Sequence, residues 1–230
     1  MYNNLTKLKN VHNGKDIWII CAGASMNHVE PDFFENKITI GLNQVYRKFP
    51  CDYVIMKDLN EKNRFSPSVE ELRNTKTKLL FSEYSHGCYV DGKSNQKPSD
   101  NFYVFNHSDG KTYKKESGEL DLSVIGTDKM IVIRSTITSA MNVAAYMGAK
   151  NIIVSGADNG SLDGKSYYDE YVQKDWISAS NNPGNQQWLG GIKDLNIQVR
   201  DRIKEIYNCN IYSLNPFWNF GLEEHEYKRF

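Results

Sequence analysis

The sequence predicts an α/β fold, a Rossmann-like, doubly wound and mainly parallel sheet with helices on both faces and a lid region. Short apolar runs rich in β-branched and aromatic residues recur along the chain. Several of them lack polar alternation, as expected for strands that are covered on both faces. Helical patterns lie between some of these runs, and such an alternation of strand and helix is typical of a parallel sheet.

The predicted strands are short runs dominated by Ile, Val, Leu, Phe and Tyr, the composition that favours a buried strand. They are IWII (17–20), ITIGL (38–42), DYVIMK (52–57), KLLF (78–81), FYVF (102–105), MIVI (130–133), NIIVSG (151–156) and NIYSL (210–214). We expect these runs to form the central sheet.

Three segments predict helices. Segment 66–74 has Ser66 as a candidate N-cap, followed by a proline that suits the first helical position. Segment 135–150 repeats apolar residues at helical spacing, and Gly148 is its predicted stop. Segment 192–207 repeats isoleucine, leucine and valine on one face, the pattern of an amphipathic helix.

The length of 230 residues fits a single nucleotide-binding domain, 1–230, with an insertion at about 84–128 and a lid loop at about 159–191. The insertion is polar apart from its FYVF run. The lid loop combines loop-forming residues with aromatic ones, namely Tyr167, Tyr168, Tyr171, Trp176 and Trp188. A long loop inside a domain is usually functional or disordered, and this aromatic content favours a loop that folds over a ligand.

Charge and composition narrow the classes of partner. The 28 basic and 28 acidic residues cancel, so electrostatics gives no reason to expect nucleic acid or an anionic membrane as a partner. The longest apolar runs are too short for a membrane span, and residues 1–15 lack an apolar signal core, so we expect neither a transmembrane segment nor secretion. Its four cysteines are scattered, which favours buried free thiols. We expect a cytoplasmic protein that could lie peripherally on the membrane and could form a homo-oligomer.

Polar residues follow several predicted strands. In a doubly wound sheet, ligands bind outside the carboxyl ends of the strands. The residues at these positions are Gly23, Ser25, Asn43, Gln44, Asp58, Arg134, Ser135, Thr136, Thr138, Ser139 and Asp158. Hydroxyls at a helix N-terminus could hold a phosphate, and carboxamides could recognise a base or a sugar.

Each of these residues also has a structural interpretation. Ser25 could be a helix N-cap, and a hydroxyl residue of 135–139 could cap the next helix. Asp58 and Asp158 could be turn residues. The turn at 21–25 lacks both the G-x-G-x-x-G and the P-loop patterns.

No catalytic group stands out. The five histidines are isolated and none has metal-ligand spacing, so no metal site is predicted. The G-x-S-x-G pattern of a hydrolase nucleophile is missing. Glu223, Glu224 and His225 could form an acid/base cluster or a solvated tail. The catalytic residues are therefore unknown from the sequence.

Six segments occur in an order that resembles a known group of enzymes. They are WIICAGASM, IGLNQVY, CDYVIMKD, RSTITSAMNVAAYMGAKNIIVSGAD, DGKSYY and IKEIYNCNIYSLNPF. Together they resemble the bacterial sialyltransferases of glycosyltransferase family 42. They also resemble the related motility-accessory-factor glycosyltransferases and 6-hydroxymethylpterin diphosphokinases. The resemblance covers roughly residues 15–217, without 84–128.

This resemblance implies the metal-independent transfer of a sialic-acid-like (nonulosonic acid) sugar from a CMP-activated donor to a glycan acceptor. The CMP-sugar is the donor substrate, and no cofactor is implied. By position, Gly23 and Ser25 would lie in the donor-phosphate loop. Asn43 and Gln44 would face the donor's sugar or phosphate and the acceptor.

The second half of the chain supplies the other implied contacts. Thr138 and Ser139 would contact cytidine or the donor carboxylate, and Gly156 and Asp158 would border the cytidine pocket. Tyr167 would be a lid tyrosine that donates to the phosphate and stabilises the leaving CMP.

Three positions depart from the sialyltransferase pattern. Ala22 stands where those enzymes usually have an asparagine, and Lys57 stands at another asparagine position. Gly191 lies about where their histidine general base would be. Asp194 or His225 could take over the base's role, because sialyl transfer needs a group that accepts the acceptor's proton.

Two alternatives follow from these departures. One is a nucleotide-dependent diphosphokinase of the pterin type, which would need Mg²⁺ with Asp58 and Asp158 as candidate ligands. The other is a catalytically inactive nucleotide-binding module.

Overall fold

The chain folds around one eight-stranded sheet in which all neighbouring strands run parallel. A computed structural model describes residues 2–56, 66–82, 84–85, 88–89, 98–106, 120–133, 135–159, 162–171 and 183–214. The predicted α/β class and parallel sheet are confirmed. Asp58, Lys57, Arg134 and His225 lie outside the described residues.

The described part of the chain contains ten strands. They are β1 (Asn3–Asn4), β2 (Asp16–Ile20), β3 (Ile38–Leu42), β4 (Tyr53–Met56), β5 (Lys78–Ser82), β6 (Tyr84–Ser85), β7 (Cys88–Tyr89), β8 (Phe102–Phe105), β9 (Asn151–Ser155) and β10 (Asn210–Ser213). The main sheet has the order β1-β8-β5-β4-β3-β2-β9-β10, and β6 pairs with β7 separately. Strand β8 is therefore part of the main sheet, although it lies within the predicted insertion 84–128.

The strand order places a topological switch point between β2 and β9, the sixth and seventh of the eight strands of the sheet. From β2 the chain moves to β3 on one side, and it later returns to β9 on the other side. Ile20 at the end of β2 pairs with Gly41 of β3 and with Ser155 of β9. In open α/β sheets the ligand crevice lies outside the carboxyl ends of the strands at such a point.

The three helices of the described chain are α1 (Ser66–Leu72), α2 (Thr136–Tyr146) and α3 (Pro183–Tyr207). Ser135 caps α2, since its side chain accepts a hydrogen bond from the Ile137 amide. Gly148, at φ 91°, follows the end of α2 as predicted. None of the helices in the described ranges is long and apolar enough to cross a membrane.

Helix α3 is longer than predicted and changes the interpretation of the lid loop. It begins at Pro183, so residues 183–191 are helical, whereas the sequence predicted a loop. Proline is well suited to the first position of a helix, where its missing N–H has no intrahelical partner to lose. The aromatic and loop-forming composition of 159–191 concealed this start.

Of the predicted strand MIVI (130–133), only Met130 forms a β-bridge, and its amide donates to the Asn106 carbonyl, directly after β8, at 2.8 Å. The prediction is wrong for residues 131–133, which are not in a strand and pack along α2. The Ile131 amide donates to Asn142 Oδ1 at 3.0 Å, and Ser139 Oγ donates to the Ile131 carbonyl at 2.7 Å. Side chains of α2 thus replace a strand partner. A short buried apolar run has the same periodicity whether or not it is a strand.

Apolar side chains cover both faces of the sheet. Ile17 and Ile19 point into a core shared with α2 and α3. Trp18 and Ile20 point to the opposite face, where they pack with Phe34 and with neighbouring 3₁₀ turns. Helix α1 lies on this second face, against β4 and β5. This confirms strands that are buried on both sides and helices on both faces.

A chain of side-chain hydrogen bonds crosses the amino-terminal edge of the sheet. Asn151 Nδ2 donates to Asp16 Oδ1 at 2.7 Å, and Asn210 Nδ2 donates to Asn151 Oδ1 at 2.9 Å. Lys204 Nζ of α3 donates to Asn210 Oδ1 at 2.5 Å. The first residues of β2, β9 and β10 are thereby held in register, far from the carboxyl-terminal edge.

Candidate functional site

Two turns meet at the switch point, one after β2 and one after β9. Backbone pairing of the two strands continues into them. The Cys21 amide donates to the Ser155 carbonyl at 2.9 Å, and the Gly23 amide donates to the Gly156 carbonyl at 2.8 Å. The turns are therefore joined to each other at the position where a doubly wound sheet binds its ligand.

The glycines of these turns are required by close packing. A Cβ on Gly23 would lie 2.4 Å from the Gly156 carbonyl oxygen and 2.6 Å from Asp158 Cγ. Gly156 has a φ of 69°, and a Cβ there would lie 2.5 Å from Met26 Cγ. Since non-bonded atoms cannot approach so closely, the contact between the turns depends on these two residues.

The carboxylate of Asp158 connects the two turns. It accepts hydrogen bonds from the Ser25 amide at 2.7 Å and from Ser25 Oγ at 2.5 Å. Asp158 is only 7% exposed. The N-cap of the 3₁₀ turn Ala24–His28 is Gly23, so the interpretation of Ser25 as an N-cap is wrong. Burial, and secondarily Asp158, raises the pKa of the Cys21 thiol, which therefore stays protonated.

Asn43 and Gln44 follow β3 at the same edge of the sheet. Asn43 has a left-handed φ of 56°, and its amide donates to the Ile55 carbonyl at 3.0 Å, which extends the pairing of β3 with β4. Gln44 is buried, and its Nε2 donates to Ser68 Oγ of α1 at 3.3 Å. The Asn43 side chain is half-buried and has no hydrogen bond to any residue that the structure describes.

The hydroxyl residues at the start of α2 are buried and hydrogen-bonded within the protein. Thr138 Oγ1 donates to the Ser135 carbonyl at 2.7 Å, and Ser139 Oγ donates to the Ile131 carbonyl. Both residues are fully buried. Their hydroxyl hydrogens are donated to backbone carbonyls. A ligand at this position would therefore bind to the hydroxyl oxygens or to the helix amides.

The segment 162–171 folds back against the turn after β2. The Tyr168 amide donates to the Ala22 carbonyl at 3.2 Å, and the Tyr168 ring is buried against Phe49 with ring centroids 5.7 Å apart. The Tyr167 ring stacks on Tyr171 at 5.1 Å and is less buried. The sequence singled out Tyr167 as a site residue, whereas Tyr168 is the tyrosine that bonds to the turn. The only sequence signal for Tyr168 was its place in a cluster of tyrosines.

Helix α3 carries a buried polar residue that sequence reasoning did not single out. Asn196 is fully buried, and neither polar atom of its amide has a hydrogen-bond partner among the residues that the structure describes. Gly191 lies half-buried five residues earlier, and Asp194 is exposed. In the described ranges no three His, Cys, Asp or Glu residues come together as metal ligands.

The fold defines a class, a parallel α/β protein with a topological switch point between β2 and β9, the position at which doubly wound sheets bind ligands. No protein-family model matches the sequence. No curated protein matches it significantly.

Among the solved structures that are similar to this chain are two of a sialyltransferase. One is the sialyltransferase CstII from Campylobacter jejuni in complex with a substrate analogue, cytidine-5'-monophosphate. It is 16% identical, with 89% of this chain and 81% of that chain covered, at a TM-score of 0.50. The other is a Tyr-to-Phe variant of sialyltransferase Cst-II in complex with CMP. It is 14% identical, with 90% and 83% covered, at a TM-score of 0.50. At these identities the similarity establishes a common fold.

Proposed function

We propose that the protein is a glycosyltransferase that moves a sialic-acid-like sugar from a CMP-activated donor to a glycan acceptor, without a metal ion. The observation that carries the proposal is the pair of glycine-containing turns that meet at the switch point between β2 and β9. This is the ligand position of doubly wound sheets, in a fold shared with a protein solved in complex with CMP.

In this proposal the nucleotide-sugar lies over the carboxyl ends of β2, β3 and β9 and the start of α2. The proposed lining residues that the structure describes lie at this edge of the sheet or in the segment folded over it. They are Gly23, Ser25, Asn43, Gln44, Thr138, Ser139, Gly156, Asp158 and Tyr167. Asp58, which is outside the described residues, is proposed from the sequence alone. Asn43 is the best candidate for direct contact, because its amide group is at this edge and is not used by the described protein.

Departure of CMP leaves negative charge on the phosphate, and hydrogen-bond donors fixed around that position would stabilise the transition state. Tyr167 is proposed to supply a hydroxyl for this purpose. Gly191 cannot accept a proton, so the proposal requires another group to take the proton of the acceptor hydroxyl. Closure of the segment after β9 would protect the activated donor from water.

A binding screen tests the nucleotide. Thermal shift with CMP, UDP, GDP and ATP, each with and without Mg²⁺, should give stabilisation by CMP alone and without metal. Isothermal titration calorimetry should then give the Kd of CMP. Stabilisation only by Mg-ATP would refute the proposal and support phosphoryl transfer.

A matched pair of asparagine variants tests the site. Asn43 and Asn36 both have a left-handed backbone, with φ of 56° and 60°, and Asn36 lies exposed at the opposite end of β3. Asn43→Ala and Asn36→Ala should therefore lose similar stability, while only Asn43→Ala should weaken CMP binding, by about tenfold for one good contact. Equal CMP affinity in both variants would show that Asn43 does not contact CMP.

A turnover assay separates an enzyme from an inactive binding module. Purified protein incubated with CMP-sialic acid and a panel of glycan acceptors should release CMP faster when an acceptor is present. Binding of CMP without any release from the donor would support the inactive module.

A further inference from the structure

Alternate amides of the turn after β2 are hydrogen-bonded to the turn after β9. Three alternate amides, those of Cys21, Gly23 and Ser25, all donate to the segment 155–158. The last of them donates to the Asp158 carboxylate rather than to a carbonyl. The donors that a phosphate would need at Gly23 and Ser25 are therefore already occupied.

The other side of this turn is held as well. The Ala22 carbonyl accepts the Tyr168 amide at 3.2 Å. Met26, at the centre of the following 3₁₀ turn, is buried, and its side chain fills the space that a Cβ on Gly156 would need. The shape of the turn is thus set by contacts with β9 and with 162–171.

The carboxylate of Asp158 itself opposes a phosphate at Ser25. Asp158 is 7% exposed and its carboxylate lies at hydrogen-bond distance from both polar groups of Ser25. A phosphate bound to Ser25 would come within a few ångströms of this carboxylate in a poorly solvated place, where like charges repel strongly.

We propose that Asp158 is a positioning residue of the site: its carboxylate holds the turn after β2 in place, and Ser25 is its partner rather than a contact for the donor phosphate. The role of Asp158 in holding the turn rests on the geometry alone. The role of Ser25 rests also on the proposed function, because it concerns a nucleotide ligand.

Chemical rescue tests the positioning role without any nucleotide. Asp158→Ala removes charge-assisted hydrogen bonds and should lower Tm by roughly 5 °C. Sodium formate should raise the Tm of Asp158→Ala and so restore part of this loss, compared with sodium chloride at equal ionic strength. It should change the Tm of the wild type little. The double variant Asp158→Ala/Ser25→Ala, which lacks the hydroxyl donor, should respond less to formate. An unchanged Tm in Asp158→Ala, or a loss that formate does not reverse, would overturn the proposal.

A double-mutant cycle decides the question if Asp158→Ala does not fold. Ser25→Ala, Asp158→Asn and their combination retain the size of both side chains. The Tm losses should be non-additive, since Ser25 would act through Asp158. Additive losses would contradict the pairing.

Nucleotide affinity tests the role of Ser25. Ser25→Ala should weaken the binding of cytidine and the binding of CMP by the same factor. The Kd of cytidine divided by the Kd of CMP should therefore stay within about twofold of its wild-type value. A tenfold or larger fall in this ratio would place the phosphate on Ser25. If the wild type binds no CMP, the proposed function fails, and the thermal measurements still decide whether Asp158 positions the turn.

Discussion

Gly23→Ala measures how tightly the two turns of the site are joined. Gly23 has φ −62° and ψ 158°, which alanine adopts without strain. On backbone entropy alone the substitution would stabilise the protein by about 0.4–1 kcal/mol. The contacts oppose this gain, because the new Cβ would lie 2.4 Å from the Gly156 carbonyl oxygen, and contacts under 3.0 Å essentially never occur.

The two turns must therefore separate by at least 0.6 Å, the difference between 3.0 Å and 2.4 Å. This movement stretches the 2.8 Å hydrogen bond from Gly23 to Gly156 and displaces Asp158 from Ser25. Overpacking costs about 1–3 kcal/mol and a weakened buried hydrogen bond about 1 kcal/mol more. The clash outweighs the entropy gain, and we expect a net loss of about 2–3 kcal/mol in the free energy of unfolding.

Urea unfolding measures this loss, and calorimetry measures the accompanying fall in CMP affinity. Gly14→Ala is the control, because Gly14 has a φ of 73° and no atom within 4 Å of the added Cβ. It should lose only about 1–2 kcal/mol from backbone conformation and should keep its CMP affinity. If Gly23→Ala were as stable as the wild type, the turns could not be packed as the structure places them.

Three further predictions concern the rest of the molecule. Asn151→Ala removes the centre of the hydrogen-bonded chain at the amino-terminal edge of the sheet, and it should lower the free energy of unfolding in urea by about 1–3 kcal/mol without changing CMP affinity. Asn196→Leu replaces a buried, unpaired amide with an apolar side chain of similar size and should raise the urea midpoint by the equivalent of about 1–2 kcal/mol; a fall would mean that the amide has a partner. Burial is the main cause that lowers the pKa of His12 below 6.5, so the unfolded chain takes up the proton first, and the wild type should lose stability as the pH falls through 6.5 towards the folded pKa. His12→Asn should make Tm less dependent on pH in this range, and an identical pH profile would exclude a contribution from His12.

Hydrophobic patterning predicted the sheet well because its strands are buried on both faces. Runs such as Ile17–Ile20 carry apolar side chains at every position, and few other structures accommodate this. The same signal failed at 131–133, where Ile131 bonds to side chains of α2 and not to a neighbouring strand. The first turns of α3 were missed because 183–191 contains two adjacent glycines and no long apolar repeat.

Residues at the switch point could be selected from the sequence as candidates, whereas the bonds between them could not be predicted. The rule for doubly wound sheets selected Gly23, Ser25 and Asp158 from their places after predicted strands. Ser25 and Asp158 are 133 residues apart, and no local pattern indicates that they bond to each other. Whether a polar residue holds a ligand or a turn depends on partners that only the tertiary structure supplies.

The hydrogen-bond partners divide the predicted polar residues into two groups. Ser25, Thr138 and Ser139 direct their hydroxyl hydrogens to other parts of the protein, and Gln44 bonds to α1. A ligand that used these donors would have to break buried hydrogen bonds, which costs about 1–3 kcal/mol each. Asn43 requires no such exchange, because no described residue bonds its side chain. Ligand contact should therefore be sought first at Asn43 and at the backbone amides of α2, and the paired turns are better regarded as the support that holds these groups in place.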